Sequence, residues 1–168
     1  DTVRQIMLPV WSSYYFFTLY ANAANHGDGY DARTLRADEV PGLPQMDRYL
    51  LARTRKLIAN VTEHMDNFEI SDACDEVADF IDMLTNWYIR NTRDRFWNED
   101  ENAFNTLYTV LEAFMRVLAP LAPMEAEAVW RGLTGGDSVH LGDWPYLTDP
   151  QTGVDTALGK VLVEDGAL

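Results

Sequence analysis

The sequence predicts an all-α fold, an antiparallel helix bundle, on three observations. Apolar residues recur at helical spacing along four long stretches. Short turns rich in Pro, Gly, Asn or Asp separate most of them, which favours antiparallel neighbours. Nothing outside a brief extended segment near 138–145 alternates in the manner of a strand. With 168 residues, 47% of them hydrophobic, the chain can bury the core of one domain.

Residues 3–25 read as a helix rich in aromatics (Trp11, Tyr14, Tyr15, Phe16, Phe17, Tyr20), with Pro9 marking a kink or boundary. Rings on nearly every face imply burial on several sides. From His26 to Pro44 the chain is expected to be loop, punctuated by Gly27, Gly29, Pro41, Gly42 and Pro44. A second helix runs from Gln45 to about Met65, its apolar stripe built from Leu50, Thr54, Leu57, Ile58, Val61 and Met65. Asn67 to Ile70 turns the chain, Ser71 is the expected N-cap, and a third helix spans Asp72 to about Phe96. After the acidic turn 98–102, Phe104, Leu107, Tyr108, Leu111, Phe114, Met115 and Leu118 give the cleanest periodicity, in a helix over 103–118. Pro120 and Pro123 end it. A short fifth helix, 124–133, stops at Gly135-Gly136. Val139, Leu141 and Trp144 are expected to pin an extended 138–145 across the bundle, and 154–163 could begin another helix.

The net charge of −14 excludes indiscriminate nucleic-acid binding, which rests on neutralising phosphates. Only Lys56 and Lys160 accompany eleven arginines, so any RNA contact has to use a local arginine patch. Asn86 to Trp97 supplies one, with three arginines and four aromatics in twelve residues. On a helical wheel Asn86, Arg90, Arg93 and Trp97 share one stripe, opposite Val77, Ile81, Leu84 and Tyr88. Guanidinium groups pair with phosphate or stack on bases, and an exposed indole stacks as well. The competing reading is a bundle helix with a solvated basic face. Arg95, on the core side, is expected to pair with a carboxylate at the helix end.

Catalytic patterns are missing from the sequence. His26, His64 and His140 are far apart, without metal-ligand spacing, and read as surface or packing residues. Gly132 to Gly136 lacks the lysine and preceding strand of a phosphate loop. Glu-x-x-His, which a di-metal bundle needs, is absent, so Glu125, Glu127, Asp79 and Asp82 read as solvated faces and helix-end charges. Lone Cys74 excludes an internal disulfide and reads as a small core residue. No apolar run approaches bilayer length and the first residues lack a signal peptide's pattern, so no membrane partner and a cytoplasmic setting are expected. The start without methionine suggests a piece of a longer protein.

The order of motifs is specific: Leu8-Pro9-Val10-Trp11, Phe16-Phe17 with Tyr20-Ala21-Asn22, Met46-Asp47-Arg48-Tyr49-Leu50-Leu51-Ala52-Arg53, Asn86-Trp87-Tyr88-Ile89-Arg90, Asp94-Arg95-Phe96-Trp97, Leu118-Ala119-Pro120-Leu121-Ala122-Pro123 and Ser138-Val139-His140-Leu141-Gly142-Asp143-Trp144-Pro145. It resembles the anticodon-binding helical domain of class I aminoacyl-tRNA synthetases, over about residues 5–146. The Asn-Trp-Tyr-Ile-Arg run points to the isoleucine enzymes; a valine- or leucine-type member is the alternative. The resemblance implies a bundle over 1–150 and, over 151–168, the start of a C-terminal connecting region. It implies a parent enzyme that ligates isoleucine to its tRNA with ATP and Mg, in a catalytic domain carrying His-Ile-Gly-His and Lys-Met-Ser-Lys-Ser. Neither signature is here, so no catalytic residue, cofactor or metal is expected in this chain. The implied partners are the tRNA(Ile) anticodon stem-loop and the parent's catalytic and C-terminal domains.

On this resemblance Arg90 and Arg93 match a basic stripe expected to touch RNA, together with Asn86. Trp97 is the nearest match to an anticodon-reading tryptophan of the related methionine enzyme, with some offset in spacing. Arg48 is left open between RNA contact and a structural pair, for example with Asp82. Ser12 stands where many isoleucine enzymes carry asparagine, which weakens a base-reading role for the first helix. Two rival readings stand beside RNA binding: a brace between the parent's domains, favoured by the charge, and an acidic helical module for a protein partner. If the aromatics of residues 11–20 normally meet the catalytic domain, the isolated chain should show an apolar patch and could dimerise through it.

Overall fold

A computed structural model describes residues 2–166. Its helices are α1 (Leu8–Ala23), α2 (Gln45–Asp66), α3 (Ile70–Met83), α4 (Arg90–Trp97), α5 (Glu101–Leu118), α6 (Pro123–Thr134) and the single turn α7 (Ala157–Lys160). A π-helical segment, Leu84–Ile89, joins α3 to α4, so the expected third helix is one rod with a widened turn in its middle. Among the described residues the only β-type pairings are two isolated bridges, Arg36 with Thr156 and Thr148 with Asp155.

The strongest apolar period belongs to the helix the others surround. Phe104, Leu107, Val110, Leu111, Phe114 and Met115 of α5 are completely buried, and α1, α2, α4 and α6 all pack on it. Asp100 caps α5, its Oδ1 accepting from the Asn102 and Ala103 amides, so the helix starts two residues earlier than expected. Pro123 opens α6, and Gly135 closes it in the left-handed conformation at φ 66°.

The segment 26–44 is more than a loop. It contains short 3₁₀ turns at Asn25–Gly27 and Ala37–Gly42 and is stitched to α5 by polar groups inside the core. Asn105 Oδ1 accepts from the Tyr30 hydroxyl (3.1 Å) and the Arg33 amide (3.2 Å), and Thr109 Oγ1 accepts from the Leu35 amide (2.8 Å). These bonds satisfy backbone and side-chain groups that the packing takes from water.

Several local expectations are corrected. Ser71 is not the N-cap of α3: the helix begins at Ile70, after a turn in which Phe68 takes a positive φ of 59°. Cys74 is half-buried instead of fully in the core. Residues 138–145 are not uniformly extended, because Val139–Leu141 form a 3₁₀ turn that buries Val139 and leaves Leu141 exposed. Trp144 does reach across to α2, donating from Nε1 to Thr62 Oγ1 at 3.0 Å. Of the expected helix over 154–163 only Ala157–Lys160 is α-helical, with a 3₁₀ turn at Val163–Gly166; the tail folds back on α2, where Arg55 Nη1 donates to the Gly159 and Val161 carbonyls. Gly159 lets α7 lie directly against the preceding chain, since a Cβ there would lie 2.1 Å from the Leu147 carbonyl oxygen. No helix among the described residues is long and apolar enough to cross a membrane.

Asp47 is buried in the core with 0% exposure. Arg95 grips it through two parallel bonds, Nη1 to Oδ1 at 2.7 Å and Nη2 to Oδ2 at 2.8 Å, and Arg95 Nε reaches Asp100 Oδ2 at 2.9 Å. The Tyr88 hydroxyl donates to Asp47 Oδ1 at 2.8 Å. One guanidinium therefore joins α4, the first turn of α2 and the cap of α5. Hydrogen bonding to Asp47 raises the Arg95 pKa further, and burial pushes the Tyr88 hydroxyl well above its ordinary value.

Glu125 and Glu127 are not merely solvated. Glu127 accepts from the Ser138 hydroxyl and the Val139 amide and pairs with Arg131, fixing the chain that leaves α6. Glu125 Oε2 is shielded from water without a hydrogen-bond partner, and burial raises its carboxyl from 4.5 to about 7.

Two outcomes follow from these buried groups. Replacing Arg95 by Ala strands Asp47 and should lower stability in urea unfolding by about 3–5 kcal/mol, whereas Tyr88→Phe should cost about 1–2 kcal/mol. For Glu125 the folded state holds its proton longer than the unfolded state, so its contribution to stability declines as pH rises from 4.5 to about 7. Below that window both states are protonated, and above it the destabilisation is complete. Glu125→Gln should therefore leave the melting temperature unchanged near pH 4 and raise it at pH 8.

Candidate nucleic-acid interface

The rod from α3 through α4 buries one side and opens the other. Ile81, Leu84, Tyr88, Ile89, Thr92 and Phe96 face the core. Asn86, Arg90, Arg93 and Trp97 are exposed, as their spacing predicted, and form one ridge. Thr85 and Thr92 bond back to the carbonyls of Ile81 and Tyr88, at 2.9 and 2.7 Å, on either side of the widened turn.

Each ridge residue has a distinct local state. Asn86 Nδ2 donates to Asp82 Oδ1 at 2.7 Å, which orients the amide and leaves its oxygen available. Arg90 has no carboxylate or hydrogen-bond partner among the described residues. The Arg93 guanidinium lies 5.8 Å from the Phe16 ring centre, on the α1 side of the ridge. Trp97 closes α4 with its indole 76% exposed.

Arg48 is not part of this group. Its Nη1 donates to the Leu43 carbonyl at 2.8 Å and its Nε faces Asp165 at 3.6 Å. The anticipated pair with Asp82 does not form, because Asp82 is turned toward Asn86 on its own helix. Arg95 does bind a carboxylate at the helix end, Asp100, but its bidentate partner Asp47 could not be read from local spacing.

Carboxylates sort the arginines. Arg33, Arg36, Arg48, Arg95, Arg116 and Arg131 each have one within 4.0 Å. Arg53, Arg55, Arg90 and Arg93 have none among the described residues, and Arg55 is spent on the Gly159 and Val161 carbonyls. In a chain with 27 acidic side chains, the other three arginines are the ones free to meet an external anion. The wheel also passed over Trp87, partly exposed on the α2 side with its ring 4.8 Å from that of Tyr49. The spacing Tyr49, Arg53, Lys56 along α2 carried the signal that would have found this neighbourhood.

His64 is not isolated either. The α2–α3 turn sets its Nδ1 3.4 Å from Glu69 Oε2 and its Nε2 3.9 Å from Glu76 Oε1. Donor atoms of His64, Glu69 and Asp72 all lie within 4.8 Å of one another, a grouping across a turn that sequence spacing hid. The imidazole lies near both carboxylates without a hydrogen bond to either, and its Nδ1 is shielded from water. A cleft of about 690 Å³ opens elsewhere, between Arg36, Thr109, Tyr146 and Asp155. Its lining includes no histidine, cysteine or lysine to serve as base or nucleophile.

A second open surface lies on α1. Leu8, Trp11, Tyr15 and Leu19 follow one another at helical spacing and are each about half exposed, while Val10, Phe16, Phe17 and Ala21 are buried. The inner rings continue into the core, Phe16 edge-on to Phe96 at 5.0 Å and Phe17 edge-on to Phe104 at 6.4 Å.

Comparison with known proteins matches residues 47–164 to the family model described as the anticodon-binding domain of tRNA ligase. The whole chain is 77% identical to part of the isoleucine–tRNA ligase of Bifidobacterium longum. It is 49% identical over 151 residues, 86% of the chain, to that of Leifsonia xyli, and 48% identical over 164 residues, 96% of the chain, to that of Tropheryma whipplei. The chain spans only 15%, 13% and 15% of the length of these relatives, respectively.

The two kinds of arginine should separate in stability measurements. Arg90→Ala is expected to leave the urea midpoint within about 0.5 kcal/mol of the parent chain. Arg48→Ala removes a bond to the Leu43 carbonyl and should cost about 1–2 kcal/mol.

Proposed function

The chain belongs to the anticodon-binding domain family of tRNA ligases, and we propose that it is the part of an isoleucine–tRNA ligase that receives the anticodon arm of tRNA(Ile). The observation that carries this reading is the ridge. In a chain of net charge −14, two arginines without carboxylate partners stand between an oriented amide and an open indole. Arg90 and Arg93 supply phosphate contacts that set the register of the arm. Asn86 and Trp97 offer hydrogen bonding and stacking to an unpaired base.

Recognition is the mechanism assigned to this chain. Held at the anticodon arm, the tRNA presents its distant acceptor end to a catalytic part elsewhere in the parent enzyme. Isoleucine, ATP and Mg belong to that part, in the cytoplasm. With Lys56 and Lys160 as its only lysines, this chain cannot assemble the lysine-rich ATP signature, and none of its residues is assigned to a cofactor.

The apolar stripe Leu8, Trp11, Tyr15 and Leu19 is assigned to a contact with the rest of the parent, the catalytic domain first. It also favours a second reading, in which the bundle braces its neighbours and the acidic surface holds no RNA alone. In the isolated chain the same stripe is the face through which two copies would pair.

Binding to fluorescent anticodon stem-loops of isoleucine and valine tRNAs, across a salt series, separates these readings. Anticodon binding requires selective, salt-sensitive binding that weakens on Arg93→Ala. Absence of binding at low salt would favour the brace. In the parent ligase, Arg90→Glu should raise the KM for tRNA; an unchanged aminoacylation rate at every tRNA concentration would count against the ridge.

A further inference from the structure

Beside the ridge, on α2, Tyr49, Arg53 and Lys56 are spaced by four and three residues and share one face. Arg53 Nη1 donates to the Tyr49 hydroxyl at 2.9 Å, with the guanidinium 5.8 Å from the Tyr49 ring centre. The Tyr49 ring meets Trp87 edge-on at 4.8 Å. Trp87 follows Asn86 directly, and its carbonyl accepts from Asn91 Nδ2 at 2.7 Å. Contacts thus lead from Trp87 through Tyr49 to Arg53, and the exposed Lys56 follows one turn on along the same face of α2.

Three features mark this strip as more than a solvated basic face. Neither Arg53 nor Lys56 has a carboxylate within 4.0 Å among the described residues, although acidic residues outnumber basic ones 27 to 13. Arg53 is held by a phenol instead of an acid, so its direction is fixed while its charge stays uncompensated. The widened turn at Leu84–Ile89 sets Asn86 and Trp87 side by side at the surface, Trp87 leaning toward α2. π-Helical turns inside longer helices are frequent at functional sites.

We propose that Arg53, oriented by Tyr49 against Trp87, and the exposed Lys56 beyond it form a second phosphate-binding strip of the RNA surface. It runs beside the Arg90–Arg93 ridge and takes the opposite strand of the same anticodon stem. Two lanes of cations, one on each flank of the Trp87 indole, suit a duplex whose two backbones run past the protein together. The proposal rests on the RNA-binding reading above and gives an RNA role to Arg53 and Lys56, to which neither the helical wheel nor the resemblance assigned one.

The test compares two double variants, Arg53→Gln with Lys56→Gln and Arg90→Gln with Arg93→Gln, by fluorescence anisotropy on the isoleucine anticodon stem-loop from 25 to 200 mM KCl. All four side chains are at the surface, and circular dichroism melts check that the variants stay folded. Removing two phosphate contacts should reduce the slope of log affinity against log salt by about 1.4–1.8, with several-fold weaker binding at the lowest salt. If the α2 variant reproduces this shift, the strip is established, whatever the ridge variant does. If only the ridge variant shifts the slope, the strip is overturned and the proposed function stands. If the unaltered chain shows no salt-dependent binding, both fall.

Discussion

Everything on the outer surface of this bundle depends on one buried charge. Asp47 is taken wholly out of water at the start of α2, a placement that is costly unless the carboxylate is fully engaged. Arg95 engages both oxygens and Tyr88 adds a third bond. A buried ion pair gives little net stability over apolar side chains of similar volume, but it is specific in direction. Tyr88 and Arg95 are seven residues apart on the same rod and bind the same carboxylate, so the rod cannot rotate without breaking one of them. Its azimuth is what turns Asn86, Arg90, Arg93 and Trp97 outward.

The same constraint explains how an acidic domain can keep cations for a partner. Arg95 is consumed by the core, and five further arginines are neutralised where they stand, each beside a carboxylate on a nearby segment. Among the arginines left without a carboxylate, Arg90 and Arg93 follow the π-helical turn, Arg53 holds Tyr49 beside Trp87, and Arg55 is turned to the carbonyls of the tail. On the proposed reading, counterion-driven affinity is confined to the face bearing Arg90 and Arg93, while the net charge of −14 repels polyanions from the rest. Weak general attraction and strong local attraction together favour one docking geometry over many.

Helix periodicity carried most of the architecture. The stripes of α2 and α5 and the inner face of the rod were all legible, because burial on one side of a helix writes itself at a spacing of three and four. So was the outward set Asn86, Arg90, Arg93 and Trp97. The illegible features are of another kind. The Asp47–Arg95 pair joins residues 48 apart. The stitching of Tyr30, Arg33 and Leu35 to α5 uses polar residues that look like surface in sequence. Arg48 went to Leu43 and Asp165 because a tail with weak periodicity of its own folds back on α2. Glu125 reads as an ordinary first-turn acid, and only packing by other elements takes its oxygen from water.

The family match begins at Asp47, yet α1 lies ahead of it and supplies Phe16 and Phe17 to the rings of Phe96 and Phe104. The stretch that the family model covers is thus smaller than the unit that closes its own core, and the Bifidobacterium longum relative matches the whole of that larger unit. Expressed from Asp47 onward, the bundle would present uncovered phenyl rings along α4 and α5, a surface that invites aggregation. Anyone trimming this region should cut no later than Val3, because Ile6 in the π-helical turn Val3–Met7 ahead of α1 is also part of the sealed interior.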